Sequence, residues 1–152
     1  MSHTASSEPL SKQRLKAWIR LLQVTRGAEQ HLREYLRIEH ATTLPRFDVM
    51  ATLWRRREGV TMSELSRMLL VSNGNATAVV DRLERDGLAV RTPSSTDRRT
   101  IYVALTVAGA KTFESLAKNH EREVNGLLER LSASDLGTLS DILQRLRKGE
   151  TP

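Results

Sequence analysis

The stretch TMSELSRMLLVSNGNATAVVDRLERDGLAVRTPSSTDRRTIYVALT, residues 61–106, decides the fold. Thr61-Met62-Ser63-Glu64 is a capping box, in which a hydroxyl and a carboxylate satisfy orphan amides at a helix start. Leu65, Met68 and Leu69 give that short helix an apolar side. The chain turns at Val71-Ser72-Asn73, with Ser72 able to cap a second helix. There Ala76, Val79, Val80 and Leu83 recur at helical spacing and face inward. The opposite side carries Asn73, Gly74, Asn75, Thr77, Ala78 and Asp81, mostly short and hydrogen-bonding. Gly87 closes the helix as a left-handed cap. Residues 88–92 and 100–105 read as two strands around the tip Pro93-Ser94-Ser95-Thr96-Asp97-Arg98-Arg99. The pattern is a winged helix-turn-helix.

The outer side of that second helix suits a DNA groove. A helix entering the major groove needs a slim face whose donors and acceptors reach base edges. Arginines on a hairpin tip reach neighbouring phosphates or a narrow minor groove, where negative potential concentrates. The alternative is a winged helix that only packs against another protein, its polar residues merely solvated.

Composition sets the outer bounds. At 152 residues the chain is one domain's worth, 39% hydrophobic, with enough apolar content for a core. Its formal net charge is +6, and 19 arginines outnumber five lysines. The guanidinium fork suits phosphate and base recognition. Residues 61–105 hold six basic and five acidic groups, however, so the case for DNA rests on where charges stand, not on their sum. With no cysteine there is no disulfide, thiolate zinc site or thiol switch, which fits a reducing cytoplasm. No apolar run reaches the roughly 18 residues of a membrane span, and no signal-peptide core is visible at the start, so the expected location is cytoplasmic.

Outward from the motif, residues 1–10 read as a disordered polar tail. Residues 11–39 form a long helix with an apolar stripe through Leu15, Trp18, Ile19, Leu22, Leu32 and Leu36. Pro45 stands in the first turn of the next helix, which runs through Phe47, Val49, Met50, Leu53 and Trp54 to near Gly59. After the wing, Thr106 caps a helix to about Leu131. Ser132-Ala133-Ser134-Asp135 starts a last one, ending at Gly149. The expected fold is therefore mainly α, ordered α-α-α-α-β-hairpin-α-α. Residues 44–106 form the DNA-binding lobe, and 11–43 with 107–149 form a helical dimerisation region. The first and last helices carry more apolar surface than a small winged helix covers. A symmetric homodimer covers it and lets two motifs read a palindrome with half-sites about 34–36 Å apart. The alternative is that both helices fold back on the monomer.

In this order and spacing the motifs are similar to those of the multiple-antibiotic-resistance regulator (MarR) family. The resemblance spans residues 11–148. It rests on Ser63-Glu64-Leu65-Ser66, on the run from Val80-Asp81-Arg82-Leu83 through Gly87-Leu88-Ala89-Val90-Arg91, and on Asp97-Arg98-Arg99 followed by Val103-Ala104-Leu105-Thr106-Val107-Ala108-Gly109. It implies a homodimeric transcription regulator, usually a repressor, released from a palindromic double-stranded operator by a small molecule. By position, Ser72, Asn73, Asn75, Thr77 and Ala78 match the face that meets the major groove. Asp97 and Arg99 match the family's aspartate-x-arginine wing element, in which the carboxylate orients the guanidinium, and Arg98 is a second candidate for the same work. Asp81 with Arg82 and Arg85 reads as a charge network on the helix surface. Gly74 departs from the larger residues often found at its position.

The resemblance also implies an effector cleft between the first helices and the DNA-binding lobe. Matching positions are Trp18, Arg37, His40, Arg46, Phe47, Met50 and Arg67. An arginine beside aromatic and sulfur side chains suits an aromatic carboxylate, although Trp18, Phe47 and Met50 also serve as ordinary core. The runs Thr42–Met50 and Val71–Asn75 resemble a branch controlling breakdown of aromatic and hydroxycinnamic acids, some of whose members answer to the coenzyme A thioester. Arg26, Arg33 and Arg37 share one helix face able to meet phosphates; the plainer reading is a solvated face with a Glu29–Arg33 pair. A ligand-independent architectural DNA-binding protein and a winged-helix interaction module are the remaining alternatives. The four histidines, His3, His31, His40 and His120, have no metal-ligand spacing, and no phosphate loop or nucleophile motif is present. No cofactor, no metal and no enzymatic activity are expected.

Overall fold

The computed structural model describes residues 8–69 and 73–148, so Ser72 and the helix stop expected at Gly149 lie outside the described residues. The elements run α1 (Leu10–His40), α2 (Leu44–Arg55), β1 (Val60–Thr61), α3 (Met62–Leu69), α4 (Asn73–Arg85), β2 (Ala89–Pro93), β3 (Ile101–Leu105), α5 (Val107–Leu127) and α6 (Ala133–Lys148).

Local chemistry sets most boundaries. α1 ends where Ala41 turns left-handed at φ 49° and Thr42 N–H reaches back to the Leu36 carbonyl, 3.1 Å away. The Thr43 hydroxyl accepts the Arg46 N–H at 3.3 Å, and Pro45 occupies the first turn of α2. At α3 the capping box is closed in both directions: Thr61 N–H donates to Glu64 Oε2 at 2.8 Å, and Glu64 N–H to Thr61 Oγ1 at 3.2 Å. These bonds favour the charged form and hold the Glu64 carboxyl below its usual range. Gly87 closes α4 at φ 74°.

The sheet has three strands where the sequence suggests two. β1 lies antiparallel on β3, pairing Val60 with Val103 and Thr61 with Tyr102, and the order is β1-β3-β2. Gly59 makes this approach possible. It sits at φ +98°, and a Cβ there would lie 3.2 Å from the Val103 carbonyl oxygen. α2 correspondingly stops at Arg55, short of Gly59, and α5 stops at Leu127, short of Leu131. Met68, expected inside, is 45% exposed; Leu65 and Ser66 fill the inner side of α3 instead.

The described residues form two compact units, one running to Leu116 and the other starting at Ala117. The core of the first is built around Val49, Met50, Leu53, Leu65, Leu83 and Val103, each at most 2% exposed. Ala76, Val80 and Leu83 fix the inner stripe of α4, as their spacing requires. In the second unit α6 opens on a Ser132/Asp135 box, with the Asp135 carboxylate accepting both the Ser132 N–H at 2.9 Å and its hydroxyl at 2.8 Å. Its apolar residues remain largely uncovered, Leu146 being 60% exposed.

Candidate nucleic-acid interface

α4 presents Asn75, Thr77, Ala78 and Asp81 to solvent, opposite its buried stripe. Asn73 opens the helix. The outer side divides into two edges. Asn75, Ala78 and Arg82 border a cavity, whereas Asp81 and Glu84 turn to the wing.

The wing tip is a tightly bonded turn. Ser94 N–H donates to the Thr100 carbonyl at 2.8 Å, and Ser94 Oγ accepts the N–H groups of Thr96 at 3.2 Å and Asp97 at 3.3 Å. The Asp97 carboxylate accepts the Arg99 backbone N–H at 3.0 Å and the Thr100 hydroxyl at 3.2 Å. Asp97 thus meets Arg99 through the backbone N–H and not through the guanidinium. Both its oxygens hold the turn's backbone and hydroxyl, a nearer partner than a solvated guanidinium on a flexible stem. Arg98 and Arg99 are exposed and make no ion pair among the described residues.

Asp81 also finds a different partner from the one its neighbours suggest. Arg91 of β2 donates to Asp81 Oδ1 at 2.6 Å and to Glu84 Oε2 at 2.5 Å. Loss of solvent works against the Arg91 charge, but these hydrogen bonds outweigh it and raise its pKa. Arg82 and Arg85 take no part. The missed signal was alternation along β2: position 91 shares a strand face with buried Ala89, and a cation there demands acidic partners.

The seven effector candidates are spread over several settings. Trp18 is 57% exposed on α1. Arg37 pairs with Glu34 at 2.6 Å, a contact that lowers the Glu34 pKa. His40 Nε2 lies 3.1 Å from the Tyr35 hydroxyl, and Arg46 pairs with Asp86 at 2.8 Å. Phe47 and Met50 are core, Phe47 stacking at 5.5 Å on Phe113, and Arg67 is exposed. None of the seven lines the cavity beside α4. That cavity, about 450 Å³, is bounded by Glu29 and Arg33 of α1, by Leu44, Pro45, Asp48 and Val49 of α2, by Leu69, and by α4. Arg33 stands 3.7 Å from Glu29, the i,i+4 pair read from spacing. Reduced solvation, then the charge of Glu29, pushes the Asp48 carboxyl above its usual range. Among the described residues no helix is long and apolar enough to cross a membrane, and no histidine–carboxylate cluster could hold a metal.

Comparison with known proteins decides what this arrangement is. Residues 42–101 match the model of the MarR family. YkoM of Bacillus subtilis (strain 168), described as an uncharacterized HTH-type transcriptional regulator, is 32% identical over 107 residues, covering 70% of this chain and 69% of its own. The chain belongs to the MarR family. The structure of a MarR mutant from E. coli complexed with operator DNA is similar over 91% of this chain and 99% of its own, with TM-score 0.77 and 26% identity. A MarR family transcriptional regulator from Silicibacter pomeroyi matches over 95% of this chain and all of its own (100%), with TM-score 0.78 and 28% identity. The protein is a DNA-binding transcription regulator of the winged-helix type and not an enzyme.

Proposed function

We propose that the chain acts as a homodimeric repressor on a palindromic operator and that a small aromatic carboxylate, or its coenzyme A thioester, releases it. The observation that carries this reading is the pairing of two features on one unit: a slim polar outer side on α4 and a hydrogen-bonded wing turn with two arginines that make no ion pair among the described residues. In it, Asn73, Asn75, Thr77 and Ala78 read bases in the major groove, and Arg98 and Arg99 reach phosphates or the minor groove on the turn built by Asp97. A second copy of the chain covers the apolar residues that α1 and α6 leave exposed, Trp18, Val24, Ile142 and Leu146 among them.

The effector belongs in the cavity beside α4, not among the seven residues first considered. Its volume of about 450 Å³ lies within the rough 300–1,000 Å³ of small-molecule sites. Apolar walls from Leu44, Val49 and Leu69 suit a ring, and Arg82, which makes no ion pair among the described residues, offers charge to a carboxylate, while Arg33 is shared with Glu29. Because Asn75 and Ala78 border the same space, an occupant bears directly on the helix that reads DNA.

Selection of bound duplexes from a random library at near-physiological salt tests the reading. An enriched palindrome with half-sites about one helical turn apart is expected. The selected site then serves to screen aromatic acids and their thioesters for release. A library with no enriched motif would overturn sequence-specific regulation and favour an architectural role.

A further inference from the structure

We propose that Arg91 is the positioning residue that sets the wing against the recognition helix. It acts through Asp81 and Glu84 and not by contact with DNA. The inference rests on the reading that α4 and the wing tip engage one DNA site together.

The register makes Arg91 unusual. It pairs across the hairpin with Val103, which is fully buried at 0% exposure, and it shares a strand face with Ala89 at 3%. A guanidinium on that side loses water, and its side chain retains only 24% exposure. Such a loss is offset only where hydrogen bonds replace the solvent. Here they do so twice, from different nitrogens: Nη2 to Asp81 at 2.6 Å and Nη1 to Glu84 at 2.5 Å. Residues three apart on a helix are surface neighbours, so the two carboxylates form one seat for one fork. Rotation of β2 about α4 in either direction stretches one of the two bonds.

What the clamp controls lies further along the strands. The bonds of the tip are internal, from Ser94 and Asp97 to the turn itself, so they shape the turn without aiming it. Aim is set at the hairpin's root, where Thr106 bonds the Gly87 carbonyl at 2.7 Å, and at Arg91 partway along. Released at Arg91, the tip would swing about the root, and Arg98 and Arg99 would lose a fixed offset from α4. The clamp has an electrostatic side as well. Asp81 and Glu84 keep side-chain exposures of 49% and 39% on the helix that approaches DNA, and their charges repel phosphates. Bound to Arg91, the two charges are cut to a net of one, which halves the repulsion they would otherwise present to the groove.

A double-mutant cycle on the full chain, with the selected operator and a random duplex at several salt concentrations, tests this. In the parent, Arg99→Ala should lower operator affinity about tenfold; in the Arg91→Ala background, the same change should cost under about threefold, because the tip is already misplaced. The salt slope should fall by about 0.9 for one lost phosphate contact, again only in the parent. Asp81→Asn with Glu84→Gln removes both charges that hold the fork and leaves the Arg91 guanidinium in place without its acids. It should raise affinity for the random duplex, lower the operator-to-random ratio, and abolish the Arg99 effect in the same way. Arg91→Lys should restore the coupling only in part, since a point charge cannot fork to both acids. An Arg99→Ala cost equal in all backgrounds would overturn the clamp while leaving the wing contact in place. An Arg99→Ala change without effect in the parent would overturn both.

Discussion

α2 buries seven of its 12 residues, whereas α1, at 31 residues, buries Leu36 alone. The contrast separates two kinds of helix in one chain. α2 is stabilised by burying its own Val49 and Leu53 within its lobe and by the tilted contact of its Phe47 with Phe113. Little of the apolar surface of α1 is removed from water within the chain, and helices are mainly stabilised by packing of an apolar face. α6 resembles α1: none of its described residues is buried. A lobe that folds on its own resources thus carries helices whose stability we assign to a second copy. The difference can be broken at either end.

The largest effect should come from the lobe. Leu83→Ala, at a site with 0% exposure, should cost about 2–5 kcal/mol in urea unfolding and lower DNA binding in proportion to the unfolded fraction. A cost below about 1 kcal/mol would mean that the α4 core is loosely packed. Next comes the assembly. Leu146→Asp should weaken the dimer by at least about ten- to a hundredfold, since each of the two protomers loses a leucine worth up to about 1.5–3 kcal/mol, as read by sedimentation equilibrium. The lobe's own unfolding should change little. A dimer of undiminished strength would remove α6 from the interface.

A smaller effect lies at the end of α1. Ala41 holds a left-handed backbone that costs a non-glycine residue roughly 1–2 kcal/mol, so Ala41→Gly should raise the melting temperature, by up to about 1 kcal/mol of stability after the added chain entropy of glycine. The smallest concerns the cavity. Asp48 has a folded pKa above that of the unfolded chain. The folded state therefore binds this proton more tightly, and the ionised carboxylate costs stability at neutral pH. That cost fades as pH falls into the carboxylate range. Asp48→Asn should then stabilise the protein near pH 7, with a gain that shrinks toward about pH 4. A gain independent of pH would assign the effect to packing instead of charge.

Much of the fold was legible because it is written in local chemistry. The boxes at Thr61/Glu64 and Ser132/Asp135, the proline in the first turn of α2 and the left-handed Gly87 each act within four residues, and each stands where the sequence places it. β1 was not legible, since two residues carry no alternation and its pairing depends on the glycine before it. Met68 is exposed where the spacing points inward, because a short helix offers too few turns to define a face. The site residues divide along the same line. Arg98 and Arg99 are visible as a tip, but the partners of Asp81 and Arg46 are set by tertiary proximity, 10 residues apart for Asp81 and Arg91 and 40 for Arg46 and Asp86. The cavity beside α4 draws on four elements and has no signature in any one of them.

The joint at Thr106 bears on how such a molecule can change shape. Its hydroxyl donates to the Gly87 carbonyl at 2.7 Å and accepts the Gly109 N–H at 3.0 Å, so one side chain ends the turn after α4 and begins α5. At Gly109 the two backbones nearly touch, and a Cβ there would fall 1.9 Å from the Leu88 carbonyl oxygen. No slack loop separates the end of α4 from the start of α5 at this point. A twist entering α5 at its first turn therefore bears directly on the end of α4, as through a keyed shaft.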